Sequence, residues 1–275
     1  MSNIERAFSI WVDTLNDVFA MIFQSCNEWN PDIWQMIKDI NAGMTLVGAA
    51  LVPLFFLIGF VKSGMRLQDL KHPEALFAPF IRLALSVGFL NASMTIMVYV
   101  FRILQGCMSK IAGYGSVNFA MSVPDEIAEA LDDTSILSFD GIRVGIVGLL
   151  LMLAIYIMAI ILLVLVWGRF LNLYIHCAVA PCFFSCLSGE PTQHFTASFI
   201  KSYINVLFQG IVVVLALLIY SRLISSDHTA AIAAVNDGDN FGGIMLYAKD
   251  FLVGGLVTLV ICKVADQAAG KMGLQ

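Results

Sequence analysis

Residues 143–222 read RVGIVGLLLMLAIYIMAIILLVLVWGRFLNLYIHCAVAPCFFSCLSGEPTQHFTASFIKSYINVLFQGIVVVLALLIYSR. No charge falls between Arg143 and Arg169, between Arg169 and Glu190, or between Lys201 and Arg222. A helix needs about 20 apolar residues to cross a hydrocarbon core about 30 Å thick. The stretch therefore predicts membrane helices. Val144–Trp167 and Tyr203–Tyr220 read as clear spans. Phe170–Leu187 is apolar enough to cross, yet it carries Asn172 and His176 and is interrupted by Pro181. The polar turn Ser188-Gly189-Glu190-Pro191 follows it.

Composition agrees over the whole chain. Of 275 residues, 59% are hydrophobic and 13% charged, against about 25% charged in soluble domains. Mean hydropathy is +0.86. So few charges cannot cover a soluble core of this size, and the chain is expected to be all-α and polytopic. A net charge of −5 gives no basic surface for nucleic acid. The first residues lack the basic start and continuous apolar run of a secretory signal, so internal spans are expected to direct insertion. The six cysteines fall largely in apolar sequence, where Cys behaves as a small hydrophobe, and imply no disulfide framework.

Upstream, Ile4, Phe8, Trp11, Leu15, Val18 and Ile22 recur at three- and four-residue spacing, which predicts an amphipathic helix over 3–24. Ser2 and Glu5 have capping-box spacing. The polar face carries Glu5, Asp13, Asn16 and Asp17; an acidic face suits a protein partner at least as well as lipid. Pro31 can open a short helix to Asp39. Ile40–Val61 is the first expected span, kinked at Pro53, and Leu83–Phe101 the second. Between 102 and 143 lies the longest hydrophilic connection, rich in acids from Asp125 to Asp140, with a helix start at Pro124. The last span is expected at Phe241–Cys262, interrupted by Lys249 and Asp250; such an acid must sit near an interface or find a partner.

Four segments follow: 1–39 as an extracytoplasmic amphipathic arm, 40–101 as two spans with a basic cytoplasmic loop, 102–143 as an acidic extracytoplasmic loop, and 144–275 as a C-terminal bundle. Regions 62–82, 169–201 and 263–275 hold more Lys and Arg than Asp and Glu; the remainder is acidic. Under the positive-inside rule this favours five spans, with Phe170–Leu187 re-entering or lying at the cytoplasmic face. Six spans result if that segment crosses.

Two polar faces stand out. Ser198, Ser202, Asn205 and Gln209 share one side of a helix, extended backwards by His194. Interhelical hydrogen bonding accounts for such a stripe in an ordinary bundle; a water-filled path or a partner is the sharper reading. Arg169, Asn172 and His176 form a second face. They read either as interface and packing groups or as a site at the inner mouth. Cys182 and Cys186 lack the paired spacing of a zinc site, and core packing is the favoured reading. Residues 236–243 resemble part of a calcium-binding loop but lack its closing Glu. No metal or cofactor is expected. Without HExxH, GxxxxGK[ST] or GxSxG, no enzyme class is supported.

The run from Val144, with Ala180-Pro181, a Gly/Pro turn, and then Phe199-Ile200-Lys201-Ser202-Tyr203-Ile204-Asn205-Val206-Leu207-Phe208-Gln209-Gly210, resembles the TrbL-type polytopic subunit of conjugative type IV secretion systems. The similarity covers about 140–225, and the turn after Pro181 carries less charge than in many relatives. The resemblance implies a non-enzymatic inner-membrane channel or scaffold subunit. Such a subunit is expected to assemble with copies of itself in a ring and with other secretion subunits. It supports pilus or stalk assembly and passage of a DNA–protein substrate. The competing expectation is a small-solute or ion transporter or channel, which would favour internal repeats with paired broken segments; none is evident in the sequence.

Overall fold

The computed structural model describes residues 3–64, 73–114, 139–224, 229–237 and 240–272. Most of the acidic connection, including its expected helix start at Pro124, lies outside the described residues, as do Ser2 and the centre of the 62–82 loop. The described residues are helical apart from short turns, with no strand among them. The helices are α1 (Asn3–Phe23), α2 (Cys26–Trp29), α3 (Pro31–Gly64), α4 (Pro73–Asn91), α5 (Ser93–Gly113), α6 (Phe139–Ser185), α7 (Gln193–Ile224), α8 (Thr229–Asn236) and α9 (Asn240–Met272). Two 3-10 turns, Cys186–Ser188 and Glu190–Thr192, join α6 to α7.

Five of these helices are long and apolar enough to cross a membrane: Pro31–Lys62, Ser93–Gly113, Gly145–Ser188, Glu190–Arg222 and Phe241–Val264. The count is the expected one, but the boundaries differ. The short helix from Pro31 and the first span are one uninterrupted helix. The second expected span, Leu83–Phe101, straddles a break at Ala92 between α4 and α5. Hydrogen bonds from Ala92 N to Gly88 O and from Ile96 N to Ala92 O carry the ladder past it. Phe170–Leu187 is not a separate element. No turn divides it from Val144–Trp167, and α6 runs for 47 residues.

The chain divides into two compact units that cut across the four sequence segments. The first comprises Met1–Phe23, Met108–Gly168 and Gly210–Gln267. Its core explains α1. Phe8, Trp11, Leu15, Val18 and Ile22 are all buried, while Asp13, Asn16 and Asp17 remain exposed. Phe8 meets Tyr247 and Phe251 edge-on, with ring centroids 5.2 and 4.5 Å away. Trp11 Nε1 donates to Tyr220 Oη at 2.8 Å, so the indole N–H is satisfied inside the core. The apolar face of α1 is therefore filled by its own chain. The acidic face, with Asp13, Asn16 and Asp17, is the side of α1 left open to a partner. On α9, a Cβ at Gly255 would meet Met158 and Trp11; the missing side chain lets these helices approach closely.

The second unit comprises Gln24–Cys107, Arg169–Gln209 and Ala268–Gln275. Here the C-terminal part of α6 lies parallel to α3. Tyr174 meets Trp34, Asn41 reaches Cys177, Gly48 faces Pro181, Val52 meets Ser188, and Gly59 faces Gly189. Both residue numbers rise together, so Phe170–Leu187 accompanies α3 over nearly all of its apolar length. The turn at Gly189 is held by close backbone approach. A Cβ there would come 2.5 Å from the Phe55 carbonyl oxygen.

Candidate functional site

The seven residues expected to face a path or partner (Arg169, Asn172, His176, Ser198, Ser202, Asn205 and Gln209) all fall in the second unit, on the hairpin of α6 and α7. What builds that hairpin decides where they point.

Helix α6 ends inside apolar protein, and its last carbonyls have no partners within the helix. In a membrane protein such groups must be satisfied internally. Side-chain hydroxyls do this. Ser185 Oγ donates to Cys182 O at 2.6 Å, and Thr196 Oγ1 to Phe183 O at 2.6 Å. Thr192 Oγ1 donates to Cys186 O at 2.6 Å. Ser188 Oγ reaches both Ser185 O and, across to α3, Val52 O. All four hydroxyl residues are buried. At the outer edge of the turn, Arg82 Nη1 pairs with Glu190 Oε2 at 3.1 Å.

Pro181 creates a further vacancy within α6. It has no N–H, so it cannot donate to the carbonyl of Cys177 four residues earlier. Asn41 Nδ2, buried in α3, donates to that carbonyl at 2.6 Å. Pro181 thus stays inside an intact helix because a second helix supplies the missing donor.

The two predicted polar faces meet across the hairpin. His176 Nδ1 lies 2.7 Å from Asn172 O, and Nε2 lies 3.1 Å from Ser202 Oγ. The carbonyl can only accept, so Nδ1 carries a proton and donates, while Nε2 and the Ser202 hydroxyl form the second bond. Phe199 and Tyr203 flank the ring, with centroids 5.4 and 5.8 Å away. Asn172, Ser198 and Ser202 are exposed, as is His194. Asn205 is half-buried, and its Oδ1 is buried without a hydrogen-bond partner among the described residues. Gln209, on the same side of α7, is buried. The stripe is therefore open from His194 to Ser202 and closes towards Gln209.

Arg169, two turns before His176 on the same side of α6, is buried. It is 3% exposed, with its guanidinium carbon 6.0 Å from the Phe170 ring centroid. Phe170 stacks on Trp29 at 4.9 Å. The arginine thus sits level with α2 and the start of α3, where Tyr174 Oη also donates to Cys26 O at 2.7 Å. Burial pushes the Cys26 thiol up to about 11, opposed by the nearby Arg169 cation. Among the described residues no three His, Cys, Asp or Glu side chains converge as metal ligands.

Sequence reasoning missed Asn41, the four capping hydroxyls and the Arg82–Glu190 pair. Asn41 carried a usable signal: a lone amide in one apolar span and a proline in another call for each other. The hydroxyls carried none, since Ser and Thr are ordinary in membrane helices.

The family of TrbL/VirB6 plasmid conjugal transfer like proteins matches residues 12–181. The match takes in most of α1, all of α2 to α5, and α6 up to Pro181. It overlaps the stretch that carried the resemblance only from about 140 to 181, and the start of α7 lies beyond it. Curated proteins yield no match. The matched residues span more than half of the chain and cover both the helix that carries Asn41 and the proline it serves; the protein belongs to the TrbL/VirB6 conjugal transfer family and is a multi-pass membrane component of conjugal transfer, that is, of type IV secretion.

Proposed function

We propose that the protein is a non-catalytic channel and scaffold subunit in the bacterial inner membrane. It assembles with copies of itself and with other secretion subunits, supports the pilus or stalk, and contributes to passage of the DNA–protein substrate. The observation that carries this reading is the outward polar face of the α6–α7 hairpin. Asn172, Ser198 and Ser202 are exposed on helices long and apolar enough to cross a membrane, and Asn205 Oδ1 has no partner among the described residues. Lipid offers such groups nothing to bond, so a face of this kind serves protein or water. The acidic side of α1 is a second surface suited to basic partner segments.

The test replaces Ser198, Ser202 and Asn205 together by Leu in the full chain. Membrane insertion and steady-state amount are expected to hold while substrate transfer between cells is abolished. Transfer at the unsubstituted level would reduce the face to packing and sink the proposal.

A further inference from the structure

Helix α9 poses a problem that the described residues of its own unit do not solve. If it crosses the membrane, Lys249 and Asp250 must lie in the hydrocarbon. The charge-free runs on either side, Phe241–Ala248 and Phe251–Cys262, are each far short of the roughly 20 residues a crossing needs. The inner face of α9 is filled: Ile244, Tyr247, Phe251, Leu259 and Cys262 are buried. Lys249 and Asp250 are exposed on the opposite side, and neither has an ion-pair partner among the described residues. Their neighbours on that side, Met245, Val253, Leu256, Val257 and Val260, are large, apolar and exposed.

Lipid cannot compensate two opposite charges at this depth. An aqueous path would call for further polar groups beside them, and the flanking side chains are apolar. The surface instead matches a dry helix–helix contact with one charged locus. The couplet holds both signs at one depth, so an identical helix inserted in the same direction offers Asp to its Lys and Lys to its Asp. A two-fold interface has this reciprocity, and the head-to-tail contacts of a ring do not.

We propose that the outward face of α9 is a contact between copies of this chain, locked by reciprocal Lys249–Asp250 pairs across the interface. This rests on the reading that copies assemble, and it names the surface and the pair through which two of them join.

The experiment co-expresses two differently tagged full-length copies and measures their co-purification from membranes in mild detergent. Wild-type copies are expected to co-purify. Lys249→Glu in both copies places like charges together, as does Asp250→Lys in both, and each is expected to lower recovery roughly tenfold or more. One copy with Lys249→Glu and the other with Asp250→Lys restores opposite charges at both contacts, so recovery is expected to return. That mixed pair decides the matter even where a variant alone inserts poorly. Recovery in the mixed pair supports the interface. Its absence overturns the interface, as does wild-type recovery in the single variants. Wild-type copies that never co-purify overturn the assembly reading as well.

Discussion

Asn41 Nδ2 donates at 2.6 Å to the carbonyl of Cys177, the group that Pro181 leaves without its helical donor. One hydrogen bond thus ties α3 to α6 and lets a proline stand in the longest helix of the chain. Replacing Asn41 by Leu leaves a buried acceptor unsatisfied, which costs about 1–3 kcal/mol. Thermal unfolding of the detergent-solubilised protein should show a lowered midpoint. Pro181→Ala returns an N–H to position 181, so Asn41→Leu should cost clearly less in that background. Equal cost in both backgrounds would show that the two residues are not coupled.

The turn between α6 and α7 is held by hydroxyls and backbone contact more than by charge. Arg82 and Glu190 are 35% and 49% exposed, and an exposed pair is worth about 0–1 kcal/mol. Glu190→Gln should therefore leave thermal stability almost unchanged. Thr192→Val removes buried bonds to Cys186 O and Gly189 O and should destabilise by about 1–3 kcal/mol. The reverse ranking would mean that the ion pair anchors the turn.

Two glycines offer a matched contrast. A methyl on Gly189 would come 2.5 Å from the Phe55 carbonyl oxygen and 2.9 Å from Thr192 Oγ1, and its own neighbours are the turn. On Gly43 a methyl would meet nothing within 4 Å. Gly189→Ala should lower the amount of folded protein in the membrane, and Gly43→Ala should leave it unchanged, as read by protease resistance of isolated membranes.

Thiol reactivity reports on the packing around α2. Cys107 is exposed, whereas Cys26, Cys177, Cys186 and Cys262 are buried. Alkylation under native conditions should modify Cys107 first. Cys26 is held protonated, because burial raises its thiol to about 11 and disfavours the thiolate. Its labelling should therefore stay slow at neutral pH and accelerate only as pH rises towards that value. Rapid modification of Cys26 at pH 7, mapped by mass spectrometry, would contradict its placement beneath Tyr174.

Asn205 bears on the functional face directly. Its Oδ1 is buried with no partner among the described residues, so the isolated protein gains little from the amide. Asn205→Leu should be neutral or stabilising in thermal unfolding, yet impair transfer between cells. A loss of stability matching the loss of transfer would mark Asn205 as a packing residue.

Much of the architecture was legible in the sequence because hydrocarbon imposes a simple rule. A crossing segment must be helical, about 20 residues long and nearly free of charge. The apolar runs at Ile40–Val61, Val144–Trp167 and Tyr203–Tyr220 therefore announced themselves, as did the acidic and apolar sides of α1. Helix boundaries were less legible. The one-residue break at Ala92 is marked only by its two polar neighbours, Asn91 and Ser93, inside a run otherwise apolar enough to read as one span. Pro31, which suggested a separate short helix, instead opens α3.

The sequence by itself determined that this chain is an all-helical membrane protein and that two polar stripes lie on neighbouring helices. Hydropathy and periodicity are local, and they sufficed for that. Only the tertiary structure decided what Pro181 does, since its effect depends on whether a donor stands opposite Cys177 O. The same holds for Phe170–Leu187, which looked interrupted until Asn41, Thr192 and Thr196 supplied its missing bonds. It also decided that the apolar side of α1 is spent inside its own unit and that Lys249 and Asp250 are not. Burial and hydrogen-bond satisfaction are properties of pairs of elements, and a single strand of sequence carries only one side of each pair.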